Sequence, residues 1–117
     1  VYKRPLHLAG GGDYLSDYSY IEDIVRGILL AYTAGSLKHR LYNINSGFVV
    51  RLCQAFDTAK RLYPDADVTI GPGGLPGEMI IRPMNITRIR TDLGYSPSHD
   101  LEKGLEKTVE WTRKAVQ

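Results

Sequence analysis

Two glycine-rich stretches carry the strongest hint of chemistry in this sequence: Gly10-Gly11-Gly12, and Gly71 to Gly77 with Pro72 and Pro76 inside it. Glycine turns cradle phosphates on backbone N–H groups when a strand leads in and a helix leads out. Neither stretch meets these conditions. Position 15, where the first would need a further glycine, is Leu15, and no helix opens directly behind it. The second follows a strand, but Pro76 stands at its third glycine position, and Met79-Ile80-Ile81 reads as extended. A dinucleotide site within this chain is therefore not expected.

Nucleophiles and metals fare no better. No serine lies in a G-x-S-x-G elbow. The lone cysteine, Cys53, sits in an apolar helical pattern and reads as a buried structural thiol, and no disulfide can form. His7, His39 and His99 are far apart in sequence and have no ligand-like spacing, so no metal site is expected. The near pairs of carboxylates read as structural. Asp65 and Asp67 flank a strand start, Glu22 and Asp23 open a helix, and Glu102, Glu106 and Glu110 mark a solvated helix face. The eight tyrosines stand out more, with Tyr14, Tyr18 and Tyr20 clustered before the first helix. A phenol suits a pocket mouth, with its ring packed and its hydroxyl free to bond a ligand.

The elements that must hold these residues follow from periodicity. Pro5 to Ala9 alternates and predicts a strand that stops at the first glycine turn. Asp13 to Tyr20 reads as a polar connector. From Ile21 the apolar positions 21, 24, 25, 28, 29 and 32 predict a helix ending near Gly35. Arg40 to Asn45 alternates again and predicts a strand, with Leu41 buried and Tyr42 and Ile44 as further inward candidates. Leu52, Phe56, Ala59 and Tyr63 predict a second helix, which Pro64 closes, and Asp67 to Ile70 a short strand. Asn85 is expected to cap a helix over 86–93, with Gly94 as its left-handed terminator. Asp100 is expected to cap a last helix from Leu101 to about Ala115, whose stripe is Leu101, Leu105, Thr108, Val109 and Thr112, with Glu110 and Lys114 as an i,i+4 pair.

Size and charge bound the rest. The 117 residues make one domain or part of one, with enough apolar content to fold. Lys plus Arg is 15 and Asp plus Glu is 13, a net charge of +2 with scattered basic residues, which argues against nucleic-acid binding. No window approaches ~18 consecutive apolar residues, so no membrane span is expected. The first residue is Val1, so this need not be a natural N-terminus, and no signal peptide opens the chain.

Four stretches, in order, resemble one known family. Asp17-Tyr18-Ser19-Tyr20-Ile21-Glu22-Asp23 is similar to its Arg-Asp-Tyr-x-Tyr-Val-x-Asp pattern. Leu41-Tyr42-Asn43-Ile44-Asn45-Ser46-Gly47 is similar to its Tyr-Asn-Ile-x-Ser-Gly strand. Asn85-Ile86-Thr87-Arg88 with Leu93-Gly94-Tyr95-Ser96-Pro97, and Leu101 to Trp111, match its last two motifs. The chain thus resembles the C-terminal part of an extended short-chain dehydrogenase/reductase of the NAD-dependent epimerase/dehydratase family. The resemblance implies an α/β substrate-binding region over residues 1–117, with about four helices and three or four short strands, lacking the dinucleotide-binding Rossmann half. It also implies NAD or NADP in the parent enzyme, held by that half, together with the catalytic Tyr-x-x-x-Lys. None of the eight tyrosines here has a lysine four residues on.

By the same resemblance Tyr18, Ser16, His7 and Arg82 are the expected substrate contacts, while Asp17, Asp23 and Asn85 have structural roles. The family places arginines on the substrate's diphosphate at the positions of Ser16 and, aligning Gly77-Glu78 with its Gly-Asp pair, Leu75. Neither replacement can make a guanidinium contact, so a smaller or differently charged substrate is expected. A cytoplasmic enzyme fragment, not competent alone, is the leading reading. A free-standing binding or interaction module of the same ancestry is the alternative, and a reading frame running upstream of Val1 into a strand-turn-helix would decide between them. The resemblance also implies that the helix after Asp23 and the Tyr42-Asn43 strand pack on the dinucleotide half, so here their apolar faces are expected to be exposed, and the isolated chain to self-associate or swap an element. The substrate, the choice of NAD or NADP and the reaction type stay open at the level of sequence.

Overall fold

A computed structural model of the chain describes residues 4–77 and 81–115. Strand β1 (Leu6–Leu8) pairs in parallel with β4 (Val68–Ile70), setting His7 opposite Thr69. A second pair, β2 (Leu15–Ser16) with β3 (Val50–Arg51), is antiparallel. Four helices complete the chain: α1 (Ile21–Thr33), α2 (Leu52–Leu62), α3 (Thr87–Leu93) and α4 (Leu101–Ala115).

The helix ends follow their capping chemistry. Asp100 Oδ1 accepts the Lys103 N–H at 2.9 Å, the bond expected of an N-cap carboxylate. Gly94 ends α3 at φ 66°, a conformation that a Cβ disfavours. Asn85 is one residue off its expected place. Its Oδ1 accepts the Thr87 N–H at 2.9 Å, but Ile86 is the residue at the cap position. Gln54 reaches back from the first turn of α2 to the Arg51 N–H at 2.8 Å, a contact sequence reading did not anticipate. β2 and β3 were not expected either. At two residues each they are too short to show alternation.

The elements group into two lobes. In the first, Ile86, Ile89 and Tyr95 are buried beside Leu30, Tyr42, Ile44 and Leu93, so α1, α3 and the segment 42–46 share one small core. Gly27 permits this packing, since a Cβ there would lie 2.5 Å from Ile44 Cγ2. In the second, α2 packs on α4 and on β3 and β4. Arg61 forks onto Glu102 at 2.6 and 2.8 Å, and the Arg113 guanidinium stands 5.4 Å from the centre of the Tyr63 ring. The expected Glu110–Lys114 pair forms at 2.7 Å, whereas Thr108, expected on the buried stripe of α4, is exposed.

Two further expectations fail: the strand at 40–45 with its buried Leu41, and the burial of Cys53. Residues 40–45 form no ladder among the described residues, because no strand here offers them an edge. Tyr42 and Ile44 do turn inward, but Leu41, expected to be buried, is 69% exposed. The apolar stripe of α1 faces outward, as expected of a chain without the half it would pack on: Ile21, Val25, Ile28, Leu29 and Tyr32 are exposed, while Asp23 and Gly27 are the helix's buried residues. Cys53 is half-buried rather than buried, since it lies in the first turn of α2 against the glycine turn at Gly12. The radius of gyration is 16.8 Å, against about 13 Å for a compact domain of this length.

Candidate functional site

The two glycine-rich stretches meet at the carboxyl ends of the parallel strands β1 and β4, where ligands sit in open α/β sheets. Gly12 N–H donates to the Gly71 carbonyl and Asp13 N–H to the Gly73 carbonyl, both at 2.9 Å. Asp13 closes the bracket, with Oδ2 accepting the Gly73 N–H at 2.9 Å. Glycine is required at this approach: a Cβ on Gly71 would fall 2.0 Å from the Ala9 carbonyl oxygen. A Cβ on Gly11, at φ +95°, would meet Leu75 Cδ2 at 2.8 Å, so the Leu75 side chain roofs the first turn.

Behind this bracket stands the start of α2. Its Leu52 and Cys53 N–H groups donate to the Tyr14 and Gly12 carbonyls at 2.8 and 3.0 Å. These two first-turn amides are thereby bonded within the protein itself.

The expected contact residues do not all converge. Ser16, in β2, bonds the Tyr18 side chain, and these two stand together. Burial raises the Tyr18 hydroxyl pKa, the neighbouring Tyr14 raises it further, and the Ser16 bond opposes them. His7 is separate: Nδ1 lies 2.7 Å from Thr69 Oγ1, and Nε2 lies 3.5 Å from Asp67. Arg82 is exposed, and among the described residues no hydrogen bond or ion pair ties it to Ser16, Tyr18 or His7. Glu78 and most of the Met79–Ile81 stretch lie outside the described residues.

No family model matches the chain. Curated relatives do. A dTDP-glucose 4,6-dehydratase of Haemophilus influenzae is 28% identical over 95% of this chain and 36% of its own length. A UDP-glucuronate 4-epimerase of Arabidopsis thaliana is 31% identical over 86% of this chain and 26% of its own. Among solved structures, the UDP-glucose 4-epimerase of Thermotoga maritima with UDP-glucose superposes with a TM-score of 0.81 at 30% identity, over 98% of this chain and 37% of that one. The chain's homologues are sugar epimerases and dehydratases, each matched over only part of its length. The Bacillus cereus UDP-glucuronic acid 4-epimerase, solved with UDP-glucuronic acid and NAD, shares the fold with a TM-score of 0.79 at 23% identity, over 97% of this chain and 36% of that one. The chain thus spans about a third of the length of the curated relatives it matches.

Within the portion shared with these relatives, the histidines hold a pattern that their sequence spacing concealed. Each pairs with an aspartate from a distant element: His7 with Asp67, His39 with Asp92, His99 with Asp23. No group of three His, Cys, Asp or Glu residues suited to a metal occurs among the described residues. No described helix is long and apolar enough to cross a membrane. Asp17 and Asp23 take the structural places expected of them. Asp17 Oδ1 accepts from Ser46 Oγ at 2.5 Å, and its Oδ2 is buried without a hydrogen-bond partner among the described residues.

Proposed function

We propose that this chain is the substrate-binding C-terminal region of an NAD(P)-dependent sugar epimerase or dehydratase and is not catalytically competent alone. One observation carries the reading: the bracket of two glycine turns at the carboxyl ends of β1 and β4, followed at once by Ser16 and Tyr18. Ser16, Tyr18, His7 and Arg82 are its substrate contacts. The Tyr18 hydroxyl stays protonated at neutral pH, so it serves as a donor and acceptor toward sugar hydroxyls. NAD or NADP, when bound, supplies hydride acceptance and return. The rest of the parent polypeptide holds it, together with the reacting base. In that cytoplasmic enzyme this chain binds and orients the sugar.

The substrate is smaller than, or charged differently from, a nucleotide-diphosphate sugar. Leu75 turns hydrocarbon onto Gly11, and Ser16 offers only a short neutral hydroxyl beside Tyr18, where the family resemblance expects guanidinium groups. Calorimetry of the parent polypeptide against UDP- and dTDP-sugars, and against small sugar acids and hydroxy acids, tests this. Tight binding of a nucleotide sugar refutes the substrate class. Hydride transfer by the isolated 117-residue chain with NAD and any of these substrates refutes the assignment of catalysis to the absent half.

The partner for the outward face of α1 and the unpaired segment 40–45 is, in this reading, the dinucleotide-binding half. The chain presents 8440 Å² of accessible surface at 13.1 kDa, where a folded monomer of that mass shows about 6,400 Å². The excess, about 2,000 Å², is the scale of a stable interface.

A further inference from the structure

Three fully described segments cross between the lobes: 17–20, 47–49 and 96–100. What fixes the crossing angle is polar. Asp23, in the first turn of α1 and 2% exposed, accepts from the Ser98 N–H at 3.0 Å, Ser98 Oγ at 2.9 Å, and the His99 N–H and Nδ1 at 3.0 Å each. Arg26 adds a bond at 3.1 Å from its own helix. Glu22, the residue before Asp23, holds Lys107 of α4 at 2.9 Å and faces His99 Nε2 at 3.5 Å. On the second crossing, Ser46 Oγ bonds Asp17, and Ser19 Oγ takes the Ser46 N–H at 2.8 Å. The apolar side of the seam is thinly filled. A groove of about 140 Å³ runs between Tyr18, Ser19 and Tyr20 and the first turns of α4, and Gly104 leaves it open.

We infer that Asp23 and Asp17 are the two pins of a hinge between the lobes, and that Asp23 is the positioning residue that sets the angle of the substrate lobe. The first lobe carries the outward stripe of α1 and the unpaired segment 40–45. The second carries the glycine bracket. A seam held by a buried carboxylate of α1, Asp23, and a half-buried one on a crossing segment, Asp17, rather than by a shared core, has few discrete alternatives and a defined rest angle. Resting on the function proposed above, this assigns Asp23 the aim of the sugar pocket toward the rest of the enzyme.

The test needs neither substrate nor cofactor, so it can fail while that function stands. Spin labels at Thr91→Cys on α3 and Lys60→Cys on α2, in a Cys53→Ala background diluted with unlabelled chain, report the distance between lobes. We expect one narrow distribution, broadened severalfold by Asp23→Asn. Hydrogen exchange at Ser98 and His99 should accelerate in that variant, while Arg90 and Gly94 amides of the first lobe keep their protection. A distribution left narrow by Asp23→Asn overturns the hinge, whether or not exchange at 98 and 99 changes. If Asp23→Asn unfolds, Ser98→Ala with His99→Gln removes two side-chain bonds and keeps the carboxylate. A distribution left narrow by that pair overturns the inference equally.

Discussion

Asp92 Oδ2 lies 2.7 Å from His39 Nδ1, tying the last turn of α3 to the loop that follows α1. Tyr42 Oη donates to the same oxygen at 3.1 Å. The His39 bond, with help from Tyr42 and Lys38, holds the Asp92 carboxyl below its usual range. A depressed carboxylate stabilises the fold above its unfolded pKa and loses that contribution as pH falls through the folded value. Asp92→Asn should therefore lower the urea midpoint at about pH 7, and the gap to the parent should close toward about pH 3. A gap of constant size across that range would show that the carboxylate charge has no part in the tie.

Gly27 sits where α1 crosses the segment 42–46, and an added Cβ would meet Ile44 at 2.5 Å and the Tyr95 ring at 3.2 Å. Alanine gains roughly 1 kcal/mol of helix propensity over glycine, while overpacking costs roughly 1–3 kcal/mol. Gly27→Ala should come out destabilised in chemical denaturation. Gly35→Ala, with nothing within 4 Å of its Cβ, should be neutral or slightly stabilised. Equal behaviour of the two variants would refute the close approach.

The outward stripe of α1 should drive association of the isolated chain. Light scattering at micromolar concentration should give an apparent mass well above 13.1 kDa. Ile28→Lys with Leu29→Lys should move it toward the monomer, since both residues are exposed and outside the core. A monomeric parent chain would contradict the expectation.

Gly71→Ala should open the glycine bracket, because its Cβ would fall 2.0 Å from the Ala9 carbonyl oxygen, a backbone atom just past β1. In the parent polypeptide, calorimetric affinity for the sugar substrate should drop at least tenfold while the circular dichroism of the helices is kept. Gly35→Ala, with nothing within 4 Å of its Cβ and far from the bracket, is the control. Unchanged affinity in Gly71→Ala would detach the bracket from substrate binding.

The helices were legible because periodicity and caps are local: Asp100, Gly94 and Pro64 each end or begin a helix by chemistry within a few residues. Periodicity alone gave the α1 stripe as a helix face, since amphipathicity tells which side is apolar and not what covers it; its outward aspect was legible only through the resemblance, which implied a missing half to cover it. The segment 40–45 shows a limit of its own, as alternation can mark a strand whose neighbour lies elsewhere. The candidate site was less readable. Ser16 and Tyr18 are two apart and stayed together. His7 found its partners at Asp67 and Thr69, some sixty residues on, through a parallel pairing that no local pattern encodes. Asp23 looked like an ordinary first-turn acid and proved to be the acceptor for a linker 75 residues away.

The surplus of surface on this chain has a thermodynamic signature. Denaturant slope and unfolding heat capacity both scale with the area newly wetted when a chain unfolds. A folded state that already shows 8440 Å² has less left to wet. The piece should therefore melt over a broad range and respond weakly to urea, like a domain much shorter than its 117 residues.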